Sequence, residues 1–162
     1  METVGVKLTD DELEQARNYA CERLAEVLER HGQSHGKNQA DLKGRLIQDM
    51  IGTMGEMAVA KYLGHDWTAP RTYEFKSNDV GEYEVKTRNP AKFKNLSCKL
   101  IDADRYPPSR IYILAWADHR SPVVTIAGWT TLGNIVDHDN VRNEWAAYIY
   151  PYCDLFPIKA LK

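Results

Sequence analysis

No apolar run in the sequence is long enough to cross a bilayer. The opening METVGVKLTDDELEQ lacks the basic region, the hydrophobic stretch and the small-residue cleavage site of a secretory signal. The expectation is a cytoplasmic protein without a membrane partner. Cysteine is scarce: Cys21, Cys98 and Cys153 stand far apart, form no CxxC pair and are odd in number. That does not suggest a disulfide framework and leaves three reduced, largely buried thiols as the expectation. Five histidines show neither HExxH nor zinc-finger spacing. Internal repeats, low-complexity tracts and a domain boundary are also missing. A formal net charge of −2 excludes a polycation, so any nucleic-acid partner must be met by local charge.

The charge that is present is polarised. Residues 10–29 hold seven acids against Arg17 and Arg23, whereas residues 86–99, KTRNPAKFKNLSCK, hold Lys86, Arg88, Lys92, Lys94 and Lys99 with no acid. Such a stretch attracts phosphates locally, although a solvated loop also collects lysines.

The first part of the chain reads as helix. Thr9 and Glu12 have capping-box spacing before Leu13, Ala16, Ala20, Leu24 and Val27, which share one helical face. Gly32 is the expected end, followed by a polar loop, HGQSHGKNQ. The apolar face suits packing or a protein partner. A second helix is expected from the Asp41–Arg45 region to Leu63, stopped by Gly64, with Leu46, Ile47, Met50, Ile51, Met54 and Ala58 facing the core. Its centre, MIGTMGEMAVA, carries a single charged side chain, Glu56. A carboxylate there needs a partner, a metal or a water channel. Gly52 and Gly55 each cost roughly 1 kcal/mol of helix propensity, which points to close approach by another backbone.

Beyond Pro70 the pattern turns extended. TYEFK, EYEVKTR, NLSCKLI, RIYILAWA and PVVTIAGW are strand candidates, punctuated by SNDVG, Pro90, Pro107–Pro108 and DHRSP. In EYEVKTR, Glu82, Glu84, Lys86 and Arg88 alternate with Tyr83, Val85 and Thr87. The tail is expected to hold a helical turn at NEWAAY and then to pack back as YIYPYCDLFPI. The predicted architecture is α/β: one domain over residues 1–162, with a mixed central sheet of about four to five strands, a helical extension at 1–40 and the core at 45–129.

The sharpest chemistry lies in DVGEYEVKTR. Glu84 and Lys86 share a strand face roughly 6.5 to 7 Å apart, and Asp79 enters from the turn before them. Two carboxylates aimed at one point make a hard oxygen site for Mg²⁺ or Mn²⁺, to which the Val85 carbonyl adds a ligand. An ammonium beside that site orients water or stabilises charge growing on a phosphate. Glu56 from the helix would hold the water or a second cation. Arg88, Lys92, Lys94 and Lys99 are the candidate phosphate contacts, with Arg71 and Lys76 weaker ones. Among Trp67, Trp116, Trp129 and Trp145 a base-stacking platform is conceivable, but Trp116 and Trp129 suit core packing better. His119 reads as an ordinary turn histidine.

GTMGEMAVAKYLG followed by DVGEYEVKTR resembles the PD-(D/E)xK nuclease superfamily, in particular small phage-type members with a helix of the GExAVAxYLG kind. The resemblance covers residues 45–88, is looser over RIYILAWA and TIAGWT, and does not reach residues 1–40. It implies a restriction-endonuclease-like core and metal-dependent phosphodiester cleavage, with DNA as the substrate, RNA left open, and a host cytoplasm if the source is a phage. It matches Asp79 to the first metal-binding aspartate, Glu84 and Lys86 to the Glu-x-Lys pair, and Glu56 to an auxiliary helix acid. The literal Pro-Asp pair is missing, since no proline precedes Asp79 and Val80 follows it. A homodimer would suit paired cuts. Two other readings stay open: a nucleic-acid-binding or structural protein that keeps the nuclease fold without turnover, and a protein-interaction module built on the first helix.

Overall fold

The computed structural model describes residues 2–31, 39–69 and 79–161. The candidate strand TYEFK, Arg71, Lys76, Gly32 and nearly all of the HGQSHGKNQ loop lie outside the described residues. The chain begins with β1 (Val4–Lys7), which the helical reading of the N-terminal region did not anticipate. The capping box then forms as its spacing requires. The Thr9 amide donates to Glu12 Oε2 at 2.6 Å, and the Glu12 amide donates to Thr9 Oγ1 at 3.2 Å. This starts α1 (Asp10–His31). After it comes α2 (Gln39–Leu63), which ends when the His65 amide reaches back 2.9 Å to the Ala60 carbonyl. Lys61 near that end pairs with Glu12 at 2.9 Å, tying the finish of one helix to the start of the other. Ala16 and Ala20 on the apolar face of α1 are fully buried, so this face is used inside the molecule.

The remaining elements are β2 (Tyr83–Arg88), β3 (Leu96–Lys99), the short α3 (Asp102–Arg105), β4 (Ile111–Trp116), β5 (Val123–Thr131), α4 (Leu132–Asp137), β6 (Val141–Arg142) and β7 (Ala147–Tyr150). Four strands make a mixed sheet in the order β1-β5-β4-β2, and three make a second sheet in the order β3-β7-β6. In the first sheet β2 runs parallel to β4, with Glu84 beside Tyr112 and Lys86 beside Leu114. The other pairings are antiparallel. The fold is thus the expected single mixed α/β domain. NEWAAY holds a 3₁₀ turn at Asn143–Trp145, and the tail packs back through an isolated bridge between Trp129 and Phe156.

Both faces of the main sheet are covered, which explains why β4 reads as an unbroken apolar run. Ile113 and Ala115 join Val85 and Ile126 in a core with Met54, Met57 and Ala58 of α2. Tyr112 and Leu114 face the other way, into a second core with Leu96, Cys98, Tyr150 and Ile135. Cys98 is the buried thiol that composition led us to expect. Cys21 and Cys153 are exposed instead, because one lies on the outer side of α1 and the other in a 3₁₀ turn.

The glycines of α2 mark its approach to β2. A Cβ at Gly55 would lie 2.9 Å from Thr87 Cβ, closer than packed carbons approach. The Gly52 carbonyl meets Thr87 Oγ1 at 3.4 Å. Thr87 is itself buried, so the strand has little room to yield. Helix propensity alone would make Gly55→Ala stabilising by about 1 kcal/mol. We expect the opposite, a loss of about 1–3 kcal/mol from overpacking, measured by urea unfolding. A gain in stability would show that the helix does not press on the strand.

Candidate active site

Among the described residues β2 is the last strand of its sheet, and the site forms on its side away from β4. Val80 and Tyr83 exchange backbone hydrogen bonds of 3.1 and 2.8 Å across a two-residue turn, and Gly81 takes the positive φ of +55° that this turn requires. The tight reversal lays Asp79 alongside the strand it precedes. Its Oδ2 accepts the Val85 amide proton at 2.8 Å. In an extended strand the N–H and C=O of one residue point the same way, so the Val85 carbonyl faces this edge too.

Parallel register settles where the other acids sit. Val85 shares the α2 face with Ile113, whereas Glu84 and Lys86 share the opposite face with Tyr112 and Leu114. Glu56 comes from α2 and accepts the Trp67 indole proton at 3.2 Å. Glu56 and Glu84 therefore flank β2 from opposite faces, and Asp79 sits between them at the edge. The charge coupling follows that order. Burial raises the Glu56 carboxyl to about 8, with Asp79 the next contributor and Glu84 a lesser one. Burial likewise raises Asp79 to about 6, helped by Glu84 and opposed by Lys86, the Val85 amide and Arg110.

Glu84 is held by two cations. Lys86 Nζ lies 2.5 Å from Oε1, and Arg110 bonds Oε2 from the first turn before β4. The Arg110 guanidinium stacks 3.6 Å over the Tyr106 ring, and its side chain is only 8% exposed. Burial works against the charge on Lys86, yet Glu84 and Asp79 together hold its pKa above the ordinary lysine value. Sequence reasoning missed Arg110. Its one signal was a cation opening an otherwise apolar strand, and only the parallel pairing of β4 with β2 brings it to Glu84.

Lys86 also lines a cleft of about 560 Å³, with Arg88, Lys92 and Lys99. Gln48 of α2 and Ser97 and Cys98 of β3 also line it, and no acid belongs to the lining. Lys94, the remaining predicted phosphate contact, is not part of it. Its carbonyl accepts the Trp116 indole proton at 3.0 Å, and its side chain is exposed. Trp116 and Trp129 are partly buried against the two cores, as packing residues should be. Trp67 is engaged by Glu56 and Tyr19. His119 Nδ1 lies 3.4 Å from Asp118 Oδ1.

The donor chemistry suits a hard cation: buried carboxylates repel one another, and a backbone carbonyl faces the same edge. Among the described residues, however, no three His, Cys, Asp or Glu side chains form a group able to hold a metal by themselves. Mg²⁺ commonly takes one or two carboxylates and keeps several waters, so Asp79 and one neighbouring acid with the Val85 carbonyl fit that demand.

The raised carboxyls have a measurable consequence. A folded pKa above the unfolded one means that the native state binds the extra proton. The stability from Glu56 is full below about 4.5 and lost as pH rises through about 8; for Asp79 the window runs from about 3.8 to about 6. Without divalent ions, the unfolding free energy should fall by a few kcal/mol between pH 5 and pH 9. Glu56→Gln should flatten most of the decline above pH 6. A profile that rises over this range, or one that Glu56→Gln leaves unchanged, contradicts the assignment. Set beside known proteins, the chain matches no family model, no curated protein and no solved structure.

Proposed function

We propose that this chain is a metal-dependent nuclease that hydrolyses phosphodiester bonds, with DNA as its substrate. One observation carries the reading: Lys86 lies beside Glu84 and within the influence of Asp79, and it also lines the cation-rich cleft. A phosphate drawn in by Arg88, Lys92 and Lys99 would meet Lys86 next to the carboxylates. The resemblance of residues 45–88 to PD-(D/E)xK nucleases supports the same reading.

Asp79, Glu56 and the Val85 carbonyl are the residues that would hold Mg²⁺ or Mn²⁺, with Glu84 adjoining. Bound there, the ion supplies Lewis acidity toward a phosphate oxygen and makes water easier to deprotonate. The chain's own residues do the rest. Lys86 turns its ammonium from Glu84 toward the phosphate oxygen on which charge grows during transfer. Arg110 keeps Glu84 aligned while Lys86 is engaged elsewhere. Glu56, still largely protonated at neutral pH, would give that proton to solvent when a cation is bound beside it, and its carboxylate would then help hold the ion.

A second reading, nucleic-acid binding without turnover, is favoured by the double engagement of Glu84 with Lys86 and Arg110. A cleavage panel separates the two: single-stranded, duplex, flapped and branched DNA, and RNA, each with Mg²⁺, Mn²⁺ or EDTA. The nuclease reading expects cleavage that EDTA abolishes. It also expects Lys86→Ala and Glu84→Gln to lose on the order of 10²–10³ in rate while circular dichroism shows the fold intact. Undiminished cleavage by Lys86→Ala would refute the mechanism. Tight binding with no cleavage of any substrate would establish the second reading.

A further inference from the structure

The geometry points to an unpaired strand as what the cleft accepts: Phe93 stacks on an exposed base while Arg88, Lys92 and Lys99 hold the flanking phosphates. This rests on the nuclease reading for its substrate but names the strand form, which that reading leaves open. The cleft runs beside β2 and β3, and Phe93 lies in its lining with the cations. An aromatic ring within a basic groove is how proteins take hold of single strands, because every unpaired base has a π-face to offer. A duplex has no such face to give, since its bases already stack on one another.

Size argues the same way. Clefts that enclose one small ligand run roughly 300–1,000 Å³, so about 560 Å³ takes about one nucleotide unit at a time. A module that reads duplex DNA instead presents roughly 600–1,000 Å² of surface across a groove. Arg88 adds a direct pointer to an anion. Its guanidinium donates to the Ser97 hydroxyl, while its Nε is buried without a hydrogen-bond partner among the described residues. A half-buried cation in that state costs free energy that a phosphate would offset. Arg88 and Phe93 belong to the lining whereas Glu56, Asp79 and Glu84 do not, so binding in the cleft can be tested apart from the chemistry.

The test is binding in EDTA, read by fluorescence anisotropy of a short labelled oligothymidylate and of a blunt duplex with the same number of phosphates. The single strand should bind about tenfold tighter or more, and Phe93→Ala should remove most of that advantage while duplex binding stays nearly unchanged. Phe93→Leu keeps apolar bulk without a π-face and should behave like Phe93→Ala, which guards against a variant that fails to fold. Lys99→Ala should lower the slope of log affinity against log salt by about 0.7, the loss of one single-strand phosphate contact. Equal affinity for the two forms, or full single-strand affinity in both folded Phe93 variants, overturns the inference. Phe93-dependent binding without cleavage under any metal would refute the nuclease reading alone. Cleavage of duplex by a protein indifferent to Phe93 would refute this inference alone.

Discussion

The hydrogen bond from the Val85 amide to the Asp79 carboxylate joins the fold to its candidate chemistry. It occupies an edge donor of β2 that would otherwise need water or another strand, and it fixes the acid at the strand's side. The two-residue turn at Gly81 makes this reach available, and the helix pressed on Thr87 brings Glu56 toward the same edge. The cost is electrostatic. Burial first, and repulsion between neighbouring carboxylates second, raise Glu56 and Asp79 above the ordinary carboxyl range. Buried carboxyls shifted in this way are candidates for receiving positive charge.

The sheet places Glu56 apart from the ion pairs of Glu84. Its α2 face carries Glu56 and the apolar core, and its other face carries Glu84, Lys86 and Arg110 against Tyr112. Farther along the same strand, Arg88 leads into the cleft with Lys92 and Lys99. A net charge of −2 therefore conceals a local cationic surface next to a local acidic one. Lys86 is the residue at the boundary, and the proposed function depends on its serving both.

Much of this was legible in the residues. Thr9 and Glu12 announced α1 because capping is local, and the alternation in EYEVKTR announced β2 because pleating is local. The acids and Lys86 were recognisable as a set because an acid-bearing apolar helix, an acidic turn, a strand and a basic flank follow in order; a Glu-x-Lys pair alone is common on wet strands. Features that depend on distant pairing were not legible. Val4–Lys7 is too short to signal a strand until β5 accepts it. The six residues of α4 are too few to show a helical period, although Thr131 caps them by accepting the Asn134 amide proton. Arg110 reaches Glu84 only through the parallel register of β2 and β4. The opposite-face placement of Glu56 and Glu84 likewise follows from which side α2 covers, and Lys94 left the cleft because the chain turns its side chain outward there.

The most direct measurement of the central claim is calorimetric titration of the folded protein with Mn²⁺ at pH 7, repeated in buffers of different ionisation enthalpy to count released protons. The account expects Mn²⁺ to bind with release of about one proton, chiefly from Glu56, and expects Asp79→Asn to lose that binding while staying folded. Folded protein that binds no Mn²⁺, or binds it equally well without Asp79, would contradict the account.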